Sequence, residues 1–247
     1  MNTSLIEDWQ TELREKSPDQ ILRWAQEQFS GSLTLATALG PEAQILTHFI
    51  ARHKLDIPIF TLDTGRLFPE TYELLAKTEA VYGLRIRVLF PDSAEVETMV
   101  GRYGPSLFRD SPTLRKHCCD VRKVNPLQRA LKGKTAWISG LRLGQSHGRR
   151  NVRAVHWEPD HQMFKINPLW NWTHDRVWAF IREHHIPYNS LHDKGFPSIG
   201  CSSCTRAVQP GEDSRAGRWW WEHSEQKECG IHIVGNRIVR KQQSVMV

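Results

Sequence analysis

A chain of 247 residues, 39% of them apolar and ten of them Trp, is long enough for one sizeable core and too rich in apolar residues to be disordered. No run approaches the roughly 18 apolar residues of a membrane span, and an N-terminal stretch carrying Glu7, Asp8, Glu12 and Glu15 is not a secretory signal, so a cytoplasmic location is expected. The formal charge of +6 predicts an anionic partner, a requirement met equally by nucleic acid and by a small polyanionic nucleotide.

The first predicted element is a helix that starts at Ser17-Pro18-Asp19-Gln20, with Ser17 as cap, Pro18 in the first turn and Gln20 at the capping-box position. Ile21, Leu22, Ala25 and Phe29 lie along its apolar face. A β-like run over 33–38 leads into Leu39-Gly40-Pro41-Glu42 and a helical pattern to His53. Residues 57–62 predict a strand, 69–82 a helix that Gly83 stops, and 84–90 a third strand. Helical stretches over 94–100 and 119–131 precede a strand over 135–139. Thr173 caps the last clear helix, with Val177, Phe180 and Ile181 on its apolar side. Strands alternating with helices of this length predict parallel βαβ units, hence an α/β fold with a parallel sheet flanked by helices. From about Thr205 the pattern weakens, so one domain over 1–204 and a flexible C-terminal tail over 205–247 are expected.

Five cysteines fall in three places: Cys118-Cys119, Cys201-Ser202-Ser203-Cys204, and Cys229 in Glu228-Cys229-Gly230-Ile231-His232. An odd number precludes complete pairing into intrachain disulfides, and reduced cytosolic pairs more often bind metal or do redox work. Four thiolates converging on one Zn²⁺ commonly come from two C-x-x-C knuckles. Adjacent cysteines suit that arrangement poorly, because neighbouring side chains on a helix diverge by about 100°. A [4Fe–4S] cube offers each thiolate its own iron and is favoured over zinc here. Cys229 is left over; Gly230 and nearby cations would suit a nucleophile, whereas a bystander thiol is the plainer reading.

Other segments carry weaker signals. Thr37-Ala38-Leu39-Gly40-Pro41-Glu42 and Leu62-Asp63-Thr64-Gly65-Arg66 lie at strand-to-helix turns, where α/β sheets bind phosphates. Gly40 and Gly65 allow close approach of backbone to a ligand, and Thr64 can donate a hydroxyl, although taken alone each turn reads more readily as a structural βα turn. No G-x-x-x-x-G-K-[ST] is present, which excludes an ordinary P-loop. Arg142, Arg149, Arg150 and Arg153, then Arg215 and Arg218, carry guanidinium forks that match phosphate or sulfate oxygens, or coat a solvated or RNA-facing surface.

Several stretches taken together resemble the iron–sulfur branch of the assimilatory adenylyl-sulfate and phosphoadenylyl-sulfate reductases. They are Leu62-Asp63-Thr64-Gly65-Arg66-Leu67-Phe68-Pro69-Glu70-Thr71-Tyr72, Cys118-Cys119-Asp120-Val121-Arg122-Lys123-Val124-Asn125-Pro126-Leu127 and Pro187-Tyr188-Asn189-Ser190-Leu191-His192-Asp193-Lys194-Gly195. Gly200-Cys201-Ser202-Ser203-Cys204-Thr205-Arg206, the run from Pro210 to Glu222, and Lys227-Glu228-Cys229-Gly230-Ile231-His232 complete the likeness.

The resemblance implies an adenine-nucleotide α-hydrolase-like fold and reduction of adenosine 5'-phosphosulfate (APS) to sulfite and AMP in sulfate assimilation. It implies that Cys118, Cys119, Cys201 and Cys204 hold a [4Fe–4S] cluster and that Cys229 is the nucleophile, forming an S-sulfocysteine. A thioredoxin or glutaredoxin-like dithiol donor would release the sulfite. Lys123 would link cluster and substrate, with Arg149 or Arg150, Arg215, Arg218 and His232 around the phosphosulfate. The first turn departs from the family, which often carries Ser residues and a Glu-Asp pair there. Use of phosphoadenylyl sulfate (PAPS), alone or beside APS, is the alternative within the family, and an iron–sulfur tRNA thiolation enzyme a more distant one. Neither nucleic acid nor membrane is expected as a partner, and homo-oligomerisation is left open.

Overall fold

A computed structural model of the chain describes residues 3–145 and 151–222. Helices α1 (Thr3–Leu13) and α2 (Pro18–Gln28) precede strand β1 (Leu33–Thr37). The Ser17 N–H donates to Gln20 Oε1 at 2.9 Å, the reach-back bond of the expected capping box. Then come α3 (Pro41–Arg52), β2 (Ile59–Leu62), α4 (Pro69–Tyr82), β3 (Arg87–Leu89) and α5 (Ser93–Tyr103). Gly83 ends α4 in the left-handed conformation at φ 63°, as its lack of a Cβ permits. Next are α6 (Pro112–Cys119), a π-helical turn (Asp120–Val124), α7 (Asn125–Leu131), β4 (Ala136–Ile138), β5 (Val155–Glu158), β6 (Met163–Ile166) and α8 (His174–Glu183). Thr173 caps α8, its Oγ1 accepting from the Arg176 N–H at 3.1 Å.

The sheet runs in the order β3-β2-β1-β4-β6-β5. Its first five strands pair in parallel, with Leu35 opposite Ile59, Thr34 opposite Trp137, and Trp137 opposite Lys165. Strand order reverses between β1 and β4, which opens the crevice where such sheets take ligands, beyond the carboxyl ends of the strands.

The expected parallel sheet is present, and its edge adds one antiparallel strand that the sequence did not announce: β5 pairs antiparallel with β6, with Val155 opposite Ile166 and Trp157 opposite Phe164. Buried charge disguises this hairpin in the sequence. Glu158 accepts from Trp137 Nε1 at 3.1 Å and pairs with Lys165 Nζ at 2.9 Å, while the Lys165 ammonium lies 4.1 Å over the Trp137 ring. Charged residues in a strand read as loop until their partners are seen.

The main core lies between β1, β2 and the helices α2, α3 and α8, with Leu22, Leu35, Leu46 and Ile181 almost wholly enclosed. A second cluster, of Met99, Leu107, Phe108, Cys118, Val121, Cys204 and Trp219, surrounds two of the cysteines. Residues 205–222 join it through Trp219 and bury Glu222 as well.

Two histidines make the fold acid-sensitive. Burial, with help from His184, pushes His48 down to about 4, and burial with Lys165 pushes His156 down to about 4. Between pH 6.5 and 4 the unfolded chain binds protons that the folded chain refuses, so stability falls as pH drops through that window. Urea midpoints should fall between pH 7 and pH 4.5, and His48→Gln should flatten the fall.

Candidate active site

The site is assembled by three connections at one end of the sheet. Helix α6 delivers Cys118 and Cys119 at its last two positions, two turns after Ser111 has capped it by accepting from the Leu114 N–H at 3.2 Å. The helix starts earlier than the sequence suggests, at Pro112, because few apolar residues mark its first turn. A short 3₁₀ turn, Ser202–Cys204, presents the other pair. Cys118, Cys119, Cys201 and Cys204 line one cavity, together with Thr64, Arg66, Arg115, Arg122 and Lys123.

Cys118 and Cys204 are buried, whereas Cys119 and Cys201 are half-buried. Burial pushes the Cys118 thiol up against the opposing pull of Arg122 and Arg66, and pushes Cys204 up to about 11. Among the described residues no three His, Cys, Asp or Glu side chains form a group suited to a single metal ion. Four thiols lining one cavity supply the number and type of donors that a [4Fe–4S] cluster would take, one thiolate per iron. Arg122 Nε is buried there with no hydrogen-bond partner among the described residues, a donor that inorganic sulfide could satisfy.

The turn after β2 braces this cavity. Arg122, on the π-helical turn, donates through Nη1 to the Thr64 carbonyl at 2.7 Å. Gly65 has φ +69°, and a Cβ there would sit 3.4 Å from Arg122 Nη1. Asp63 Oδ1 accepts from the Gly65 N–H at 2.7 Å and from the Tyr72 hydroxyl at 3.0 Å. The Thr64 hydroxyl lies 3.3 Å from Cys201 Sγ, so it addresses the cysteines directly. The Ser202 N–H donates to the Arg66 carbonyl at 2.8 Å, tying this turn to the second cysteine pair.

The segment after the second pair is laced back onto it. Thr205 and Arg218 form an antiparallel bridge, the Arg206 N–H donates to the Gly217 carbonyl at 3.0 Å, and the Trp219 N–H donates to the Cys204 carbonyl at 3.2 Å. Arg218 is buried against Gly200, where a Cβ would lie 2.3 Å from Arg218 Nη2. Two guanidiniums lie over the Trp219 ring, Arg115 at 4.4 Å and Arg218 at 4.6 Å. Trp219 itself holds φ 44°, a conformation that costs a bulky residue about 1–3 kcal/mol. Arg215 is half-buried, its N–H donating to Asp213 Oδ1 at 2.8 Å. A Cβ on Gly217 would meet the Arg206 carbonyl at 2.2 Å, against backbone that cannot yield. Gly217→Ala should therefore part the lacing, lower the thermal midpoint and speed alkylation of Cys204.

At the strand-order reversal, Gly40 caps α3 with an ordinary extended backbone at φ −78°. Across the crevice Gly140 packs so closely that a Cβ would sit 2.8 Å from Glu42 Cβ. Glu42 Oε1 holds Arg142 Nε and Gln145 Nε2, each at 2.8 Å. Sequence reasoning passed over Gly140 and Glu42; the signal was a glycine just past β4, mirroring Gly40 past β1. Arg149, Arg150, Cys229 and His232 lie outside the described residues. No described helix is long and apolar enough to cross a membrane.

The profile of a family described as the phosphoadenosine phosphosulfate reductase domain matches residues 32–207. A protein of Allochromatium vinosum named adenosine 5'-phosphosulfate reductase is 52% identical over 201 residues, covering 81% of this chain and 78% of its own length. One of the same name from Pseudomonas aeruginosa is 42% identical, covering 92% and 85%. Among solved structures, the phosphoadenylyl-sulfate reductase of Candida auris in its phosphate complex superposes with a TM-score of 0.73. It is 32% identical, over 84% of this chain and 98% of that one. The FMN adenylyltransferase of Candida glabrata shares the fold alone, with a TM-score of 0.53 at 15% identity over 86% of this chain and 72% of that one.

Proposed function

We infer, for a chain that belongs to the phosphoadenosine phosphosulfate reductase family, that its reaction is the reduction of APS to sulfite and AMP in sulfate assimilation. The observation that carries this reading is the meeting of Cys118 and Cys119 with Cys201 and Cys204 on one cavity beside Lys123, in a chain 52% identical to a named APS reductase. Cys118, Cys119, Cys201 and Cys204 hold a [4Fe–4S] cluster, which when bound supplies a fixed charge distribution beside the substrate. Lys123, which lines the same cavity, would link that charge to the phosphosulfate. Anaerobically purified protein should be brown, with about four irons per chain.

The chemistry runs on the chain's own groups. APS lies in the crevice beyond β1 and β4, with Arg215, Arg218 and Arg149 or Arg150 on its phosphosulfate and His232 beside them. The Cys229 thiolate attacks the sulfur, an S–S bond forms, the S–O bond breaks and AMP departs. Cations that neutralise the phosphate make AMP a better leaving group. A thioredoxin or glutaredoxin-like dithiol then attacks Cys229 Sγ, expelling sulfite; its second thiol resolves the mixed disulfide and leaves a disulfide on the donor. The two electrons therefore come from the dithiol, and Cys229 returns as a thiol. Residues 1–204 form the nucleotide- and cluster-binding domain and 205–247 carry the nucleophile; the net positive charge serves this small anion, and the enzyme works in the cytoplasm.

Sulfite release from APS, with PAPS in parallel and thioredoxin supplied, tests the reading. APS should be the better substrate, and absence of sulfite from APS by iron-loaded protein would overturn it. Arg215→Ala should weaken APS binding by roughly 1.5–3 kcal/mol, the worth of a charge-assisted contact, measurable by titration calorimetry.

A further inference from the structure

Glu222 stands seven positions before Cys229, and it is buried. Its Oε1 takes the Nε of Arg115 in an ion pair whose side chains are 4% and 1% exposed. Removing both charges from water is expensive, and breaking such a pair leaves a buried charge uncompensated. Arg115 belongs to α6 three residues before Cys118, lines the cysteine cavity and lies 4.4 Å over the Trp219 ring. The Glu222 N–H donates to the Trp219 carbonyl at 2.9 Å, closing a tight turn just before the nucleophile segment. One guanidinium thus joins the helix of the first cysteine pair to the chain that leads to Cys229.

We propose that Arg115 and Glu222 are a positioning pair that anchors the chain seven residues before Cys229, and so limits how its thiolate can meet substrate sulfur. The inference rests on the reading of Cys229 as nucleophile. Seven residues span at most roughly 25 Å, so a fixed Glu222 sets an upper bound on the distance of Cys229 from the cavity wall that Arg115 lines. Without the pair, the nearest fixed point moves back to Trp219, whose N–H and neighbour Arg218 are held separately. The longer leash alone lowers the local thiol concentration only about twofold; loss of orientation can cost as much as roughly 100-fold. Substrate grip by Arg218 is untouched, so the effect falls on the bond-forming step.

The test follows S-sulfonate formation on Cys229 by mass spectrometry, with iron-loaded protein and APS varied up to saturation but no dithiol, in Glu222→Gln, Glu222→Ala, Arg115→Met and the double variant Arg115→Met/Glu222→Leu. Glu222→Ala should slow the adduct at least about fivefold, beyond the leash effect alone, with iron content and the KM for APS unchanged. Glu222→Gln keeps the volume and one acceptor and should lie between it and the parent. The double variant, which leaves no orphan charge, should be stable and no slower than Arg115→Met alone, since the two residues act as one unit. Hydrogen exchange at the Glu222 amide, which needs no chemistry, should quicken in Glu222→Ala. An adduct rate within twofold of the parent, or a raised KM at unchanged rate, overturns the proposal. If the parent forms its adduct on another cysteine while exchange at residue 222 still quickens, the nucleophile assignment fails and the pair remains an anchor; unchanged exchange removes the anchor itself.

Discussion

Cys229→Ser should bind APS and keep its iron, yet release no sulfite. The four thiols around the cavity are Cys118, Cys119, Cys201 and Cys204, so substitution at Cys229 takes no ligand away. What it removes is the proposed nucleophile, a soft thiol replaced by a hydroxyl. A serine hydroxyl at neutral pH has almost no alkoxide, and displacement at sulfur has no substitute attacker. A fall of more than a thousandfold, about 4 kcal/mol in the barrier, is expected in turnover. Mass spectrometry of the parent with APS alone should show one added SO₃ on Cys229. Persistent turnover by Cys229→Ser, or the adduct on Cys118 or Cys204, would sink the assignment.

The second large effect belongs to the cavity. Cys201→Ser should lose both iron and sulfite production, measured by iron content and by the sulfite assay on the same preparation. The side chain is half-buried and 3.3 Å from the Thr64 hydroxyl, so serine fits without a cavity or a clash, and the folded content by circular dichroism should be unchanged. The variant therefore separates loss of a ligand from loss of the fold. Cys118→Ser is a harsher test, because that thiol is buried in the second core cluster with Val121 and Trp219. A cluster-free Cys201→Ser with full activity would show the centre to be dispensable to the reaction.

Much of this could be read from residues alone, for reasons that differ by element. Helices α2 and α8, each with a cap and a periodic apolar face, were legible because local chemistry and packing agree there, and α4 was legible from the Gly83 stop. The hairpin β5–β6 was hidden because Glu158 and Lys165 satisfy each other only after the strands pair. The early start of α6 was missed because PTLRKHCC offers little apolar periodicity. At the site, the two cysteine pairs announced themselves by type and spacing. The role of Thr64 did not: a hydroxyl expected to face phosphate lies against Cys201 instead, a direction that only the register of the turn after β2 decides. Arg142, one of the basic-loop residues, is engaged by Glu42, a partner 100 positions away.

The lacing of residues 205–219 onto the second cysteine pair has a consequence for how the protein is made. Cys201 lies 82 residues after Cys119 in sequence, and its loop takes shape only when the Gly217 carbonyl and the Trp219 amide are available to pair with it. At a synthesis rate of roughly 5–20 residues per second, the first cysteine pair waits about 4–16 s before the second has even been polymerised. Throughout that interval Cys118 and Cys119 sit on a nascent helix with no enclosing wall from Cys204 or Trp219. The donor set is thus completed late in translation, and a ribosome stalled short of residue 201 would display two thiols that cannot yet close a cavity.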